Sequence, residues 1–175
     1  SLRSVVLSTD GEYILAGSND DNSYFFSKDS NTPLSIHETS RGVTSVAISN
    51  FGDYTVVGSE DNRVYFLPKD MIKLSTLYSA GSIFNSVSVS FDGEYAVSGS
   101  NNGRVYLFRN NNSTPIWSYN TGSVVYNTVI SSDGKYIAAG NNDGDVSFFS
   151  TASSTPLWVY SAGSGINCAS CIAIS

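Results

Sequence analysis

Apolar and polar positions alternate in short runs along this chain, and no apolar stripe keeps helical spacing for more than about one turn. Such a pattern predicts short strands, and they fall into groups of four. The first run of each group is small and apolar: Val5 to Ser8, Ser45-Val-Ala-Ile-Ser49, Val87 to Ser90 and Thr128 to Ser131. The alternation of Val46 and Ile48 marks a strand with one buried face. A turn pair follows each: Asp10-Gly11, Gly52-Asp53, Asp92-Gly93 and Asp133-Gly134. Gly and Asp accept the positive φ of tight hairpins. The second run holds Tyr13, Tyr54, Tyr95 and Tyr136, and the third is aromatic: Tyr24-Phe-Phe26, Val64 to Leu67, Val105 to Phe108 and Val146 to Phe149. A fourth run ends at His37, Tyr78, Tyr119 and Tyr160, with Pro33, Pro115 and Pro156 just before it in three of the groups. Proline cannot donate to a strand ladder, so this run is predicted to be the outermost.

The groups are copies of one another. Ser8-Thr-Asp-Gly-Glu-Tyr-Ile-Leu-Ala-Gly17 recurs from Ser49, Ser90 and Ser131, each time 41 residues on and without a gap. The units span approximately 4–44, 45–85, 86–126 and 127–170, and residues 171–175 start a fifth after three extra residues. A repeated four-stranded meander of about 40 residues predicts an all-β fold, a β-propeller of four-stranded antiparallel blades. A single sheet cannot hide both apolar faces, so blade must stack on blade. Four units and one leftover strand leave the ring incomplete or completed by an oligomer. The chain reads as a piece of a longer propeller, with two copies forming an eight-bladed ring as the alternative.

Val43-Thr-Ser-Val-Ala-Ile-Ser-Asn-Phe-Gly-Asp-Tyr-Thr-Val-Val-Gly-Ser-Glu-Asp-Asn-Arg-Val-Tyr-Phe-Leu67 resembles the WD-repeat pattern, and all four units match it. No unit carries the Gly-His pair of that family, and the Trp-Asp slots hold Phe26-Ser27, Leu67-Pro68, Phe108-Arg109 and Phe149-Ser150. Ser113-Thr-Pro-Ile-Trp-Ser-Tyr119 and Ser154-Thr-Pro-Leu-Trp-Val-Tyr160 are similar to the tryptophan-docking end of pyrroloquinoline-quinone-type repeats, without their Thr-Gly-Lys lead-in. The first resemblance implies a propeller scaffold or binding module. The second implies a quinoprotein-like oxidoreductase, or its inactive relative, holding a quinone over the ring axis with calcium. Fold implies activity only weakly.

Composition narrows the classes. Of 175 residues 41% are hydrophobic and 14% charged, a mix that buries a core and argues against global disorder. Nine Lys+Arg against 15 Asp+Glu give a net charge of −6, which argues against nucleic acid as a partner. No apolar run reaches the roughly 18 residues of a spanning helix, and Ser1 to Ser8 lacks a signal-peptide layout, so the chain reads as soluble.

Candidate chemistry is sparse, and no catalytic residue, cofactor site or metal site is assigned. The single histidine, His37, fills the slot of Tyr78, Tyr119 and Tyr160, which points to packing. Cys168 and Cys171 form C-x-x-C, an incidental or structural pair or, next, a local disulfide. The turns between the second and third runs share a rim with the loops joining one unit to the next. Asp20, Asp21, Asp61, Asn62, Asn102, Asp143 and Asp145, with Arg41, Ser82 and Ser123 nearby, are the binding-rim candidates. Hairpin chemistry alone also explains Asp, Asn and Gly there. Asn141, Asp143 and Asp145 have the opening spacing of a calcium loop, but Val146 stands where that loop needs Gly. Asn111-Asn-Ser113 and Asn112-Ser-Thr114 are overlapping glycosylation sequons; with abundant Ser and scarce Lys they point toward the cell surface or the extracellular space. The expected partner is a protein or a glycan on the polar rim.

Overall fold

The structure, a computed structural model, describes residues 1–69, 76–110, 112–163 and 173–174. Among them there is no helix, and sixteen strands form four separate antiparallel sheets. The first sheet comprises β1 (Leu2–Leu7), β2 (Tyr13–Ser18), β3 (Asn22–Ser27) and β4 (Ser35–Glu38). The second is β5 (Val43–Ile48), β6 (Tyr54–Ser59), β7 (Arg63–Pro68) and β8 (Thr76–Ser79). The third is β9 (Phe84–Val89), β10 (Tyr95–Ser100), β11 (Arg104–Arg109) and β12 (Trp117–Asn120). The fourth is β13 (Val125–Ile130), β14 (Tyr136–Asn141), β15 (Asp145–Ser150) and β16 (Trp158–Ser161). Each is a simple meander in chain order, as blades of a propeller require. The start of a fifth unit at residues 171–175 and the Cys168/Cys171 pair fall outside the described residues, apart from positions 173–174.

The inner strands begin earlier and end earlier than the sequence pattern predicts. The second one runs Val43–Ile48 and not Ser45 to Ser49, because the closing serine turns out of the ladder. Its hydroxyl accepts the Tyr54 N–H at 3.0 Å, and Ser8, Ser90 and Ser131 do the same for Tyr13, Tyr95 and Tyr136. An irregularity near the start of each inner strand lies at Leu2/Ser4, Val43/Ser45, Gly99/Ser100 opposite Phe84, and Val125/Asn127.

Inner strands β1, β5, β9 and β13 lie side by side, and β4, β8, β12 and β16 form the opposite edge of their sheets. The proline-marked run is therefore the outer edge. Apolar side chains alternate between the two faces of every central strand, so each blade feeds two interfaces. Val57, Tyr65 and Leu67 of the second blade pack on Leu15 and Phe25 of the first, while Val56, Val64 and Phe66 pack on Phe84, Val87, Tyr106 and Phe108 of the third. Val97, Val105 and Leu107 then meet Ile137, Ala139 and Phe149. Complete burial of one such side chain contributes about 1.5–3 kcal/mol.

Serine joins the inner strands. Ser4, Ser45 and Ser86 accept the backbone N–H groups of Val46, Val87 and Thr128 at 3.2, 3.2 and 3.0 Å, each from the next blade. Glycines on the second strands, β2 and β10, let the inner strand of the next blade approach: a β-carbon at Gly17 would stand 2.4 Å from Val43 Cγ1, and one at Gly99 2.6 Å from Val125 Cγ1. The arc is not closed among the described residues. Leu2, Val5 and Leu7 on the first blade are 62–66% exposed, and on the fourth Trp158 is 50% and Tyr160 64% exposed.

Candidate interaction surface

The rim is built by backbone geometry first. At the turns joining β2 to β3, β6 to β7, β10 to β11 and β14 to β15, one residue takes a left-handed conformation: Asp21 (φ 70°), Asn62 (φ 72°), Gly103 (φ 79°) and Gly144 (φ 85°). Asx chemistry tightens the first three, since Asp20, Asp61 and Asn102 accept the N–H groups of Asn22, Arg63 and Arg104 at 3.2, 3.0 and 3.1 Å. In the fourth turn Asn141 takes over and accepts from both Asp143 and Asp145, at 3.1 and 2.8 Å. Carbonyls of the four left-handed residues then accept the N–H groups of Thr39, Ala80, Thr121 and Ala162 at 2.7, 3.3, 2.8 and 3.0 Å. Those donors follow the outer strands, so turns and inter-blade loops share one rim, as expected.

Asp61 is the most connected of the rim residues. Its Oδ2 accepts the Tyr65 hydroxyl at 2.5 Å and the Ser40 N–H at 3.0 Å, tying its turn to the loop after β4. Around it lies a polar cavity of roughly 400 Å³ lined by Ser40, Arg41, Glu60, Asp61, Asn62, Arg63 and Ile83. Three of the residues singled out in the sequence, Arg41, Asp61 and Asn62, therefore meet in one depression. Arg63 and Ile83 join them without having been singled out. Their signal was present, because Arg63 directly follows the turn and Ile83 directly follows Ser82. Glu60 is also paired with Arg3 of the first blade.

Other candidates stand apart from this depression, on the first, third and fourth blades. Asp20 accepts the Tyr24 hydroxyl at 2.8 Å, which holds its carboxyl below the usual range and raises the Tyr24 phenol. Asn102 donates to the Tyr106 hydroxyl at 2.7 Å. Asp143 accepts from Ser123 Oγ at 2.9 Å, and Asp145 from Ser161 Oγ at 2.5 Å. These bonds use side-chain capacity that turn formation alone would leave free.

His37 packs edge-on against Tyr65, with ring centroids 5.0 Å apart, and its Nε2 is buried without a hydrogen-bond partner. Burial pushes its pKa down, against an opposing pull from Asp61. Of the sequon residues, Asn112 is described, and its Oδ1 accepts the Thr114 N–H at 2.9 Å. Among the described residues no three His, Cys, Asp or Glu side chains come together to hold a metal ion.

With this geometry in place, comparison with known proteins places the repeats. The family model described as WD domain, G-beta repeat matches residues 29–66 and 72–109. The first match takes in β4, β5, β6 and most of β7. Those two stretches are similar to WD repeats, and the four-stranded antiparallel blades fit a WD-repeat-like propeller; domains of this class usually act as protein-interaction scaffolds. No curated protein matches the chain.

Proposed function

We propose that this chain is a non-catalytic propeller scaffold that holds a partner protein on its polar rim. The observation that carries the reading is the cavity where Arg41, Asp61 and Asn62 meet, between two loop sets fixed to one another by backbone hydrogen bonds. Asp20, Asp21, Asn102, Asp143 and Asp145 extend the same surface from blade to blade. A glycan is the other ligand that this acid- and amide-rich surface suits. Crosslinking in the source cells, followed by mass spectrometry, tests the proposal. Partners captured by the native chain are expected to be lost from a variant carrying Arg41→Glu, Asp20→Ala, Asn102→Ala and Asp143→Ala. Retention of all of them, with loss on a variant altered at the opposite rim, would overturn it.

The exposed faces of the first and fourth blades support closure by further blades of the same type or by a second copy. Solution mass from light scattering tests this: a dimer supports shared closure, and a soluble monomer means that the open faces are hidden some other way. Support for the quinoprotein-like alternative is confined to the segments bearing Trp117 and Trp158, and the Trp117 indole is engaged between blades.

A further inference from the structure

Although the chain carries a net charge of −6, three of its five arginines gather about one depression of the rim. Arg41 and Arg63 line the cavity of roughly 400 Å³, and Arg3 is paired with its Glu60. The cavity thus holds two carboxylates and two guanidiniums, and the carboxylates are already engaged. Glu60 is taken by Arg3. Asp61 accepts the Arg63 N–H on one oxygen, and the Tyr65 hydroxyl and Ser40 N–H on the other. Among the described residues neither Arg41 nor Arg63 is paired with a carboxylate. The Arg63 guanidinium lies beside the Tyr65 hydroxyl, whose own proton goes to Asp61. Each guanidinium offers five N–H donors in a planar fork, so the depression is rich in donors and its acceptors are spent.

The repeat shows that the blade itself does not demand these arginines. Ser82 and Ser123 stand where Arg41 does, one and two repeats further on. The Arg41 carbonyl accepts the Thr39 hydroxyl at 2.5 Å, and the Ser123 carbonyl accepts that of Thr121 at 2.8 Å, so the loop closes equally well on a serine. Arg104 is the counterpart of Arg63, but it donates to the Ser118 hydroxyl at 3.0 Å on its own blade. Leu77 occupies the Ser118 position of the second unit, and Asp145 occupies the Arg63 position of the fourth. Of the three units that contain both positions, only the second has arginine at each.

We infer that this depression receives a carboxylate of the partner protein, an aspartate or glutamate side chain held between the Arg41 and Arg63 guanidiniums; the inference rests on the reading of the rim as the partner-binding surface. A guanidinium fork matches a carboxylate with two N–H groups to two oxygens. Ile83 supplies an apolar wall for the methylene stem. A phosphate suits the depression less well, because its second charge would face Glu60 and Asp61. The net charge of −6 also repels extended polyanions, so the fit is to a single acidic residue in an otherwise uncharged segment.

NMR titration of the full chain with acetyl-Leu-Glu-Leu-amide, and with its glutamine and phosphoserine counterparts, tests the assignment. Saturable shifts of the Arg41 and Arg63 side-chain N–H groups and of the Ile83 methyl groups are expected with the glutamate peptide, weakening as salt is raised. The glutamine peptide is expected to bind about tenfold more weakly, having lost the charge-assisted bonds. Arg41→Ser, which installs the residue of the next two units, and Arg63→Gln should each weaken the glutamate peptide by a similar factor. Arg41→Lys, which keeps the charge and loses the fork, should fall between the native chain and Arg41→Ser. Absence of saturable shifts, equal binding of the glutamate and glutamine peptides, tighter binding of the phosphoserine peptide, or binding undiminished in a folded Arg41→Ser variant would overturn the carboxylate site. Crosslinked partners that are still lost from the rim variant would then leave the rim reading standing. Partners retained by that variant while the glutamate peptide binds would instead remove the rim reading and leave the anion site without its partner.

Discussion

The ring of Tyr54 lies so close to Gly93 of the next blade that a β-carbon at Gly93 would stand 2.5 Å from Tyr54 Cδ2. The relationship repeats at the other junctions, with Tyr13 over Gly52 at 2.9 Å and Tyr95 over Gly134 at 3.2 Å. One glycine thus meets two demands, a left-handed turn (φ 74° at Gly93) and room for the ring of the preceding blade.

Gly93→Ala is expected to suffer both penalties and to lose about 2–5 kcal/mol, summing left-handed strain and overpacking. Gly122→Ala is the control. Its φ is 90° and nothing lies within 4 Å of the added carbon, so only the conformational part, about 1–2 kcal/mol, should appear. Urea midpoints at unchanged m-value measure the difference. Equal losses for the two variants would refute the packing half of the account.

His37 should give the fold a pH dependence near neutrality. Its folded pKa lies below the ordinary 6.5 because burial disfavours the cation, and only the weaker pull of Asp61 opposes this. The unfolded chain therefore takes up a proton first, so the contribution is present above about pH 6.5 and is lost as pH falls through the folded value. His37→Tyr installs the residue found in the other three units. Thermal melting between pH 7.5 and 5 is expected to be flatter in that variant than in the native chain.

A second window lies at acid pH. Asp133 is held down to about 2, first by the Ser131 hydroxyl and then by Lys135, and Asp10 and Asp92 are lowered by Ser8 and Ser90 in the same way. Depressed carboxyl values mean stability that is complete above about pH 4 and lost as pH falls toward 2. Replacing Ser8, Ser90 and Ser131 together by Ala should flatten that acid limb as followed by circular dichroism. An unchanged limb would show that these turns contribute nothing to acid sensitivity.

Rim and fold were legible to different degrees. The 41-residue identity of Ser8, Ser49, Ser90 and Ser131 was enough to count blades, and Pro33, Pro115 and Pro156 were enough to mark the outer edge. The shared rim followed from Asp, Asn and Gly at two-residue turns. The meeting of Arg41 with Asp61 and Arg63 did not, because it depends on how the loop after β4 runs on beside the β5/β6 ladder.

Local pattern is written in neighbouring residues: alternation, turn chemistry and repeat length depend only on which side chains are near in the chain, and the sequence by itself determined them here. Junction chemistry depends on residues some 40 positions apart that touch only after blades stack. That is why the serine ladder of Ser4, Ser45 and Ser86 and the glycine–tyrosine contacts were decided by tertiary structure alone. The same distance explains the exposed first and last faces, whose covering is a matter of what stacks on them.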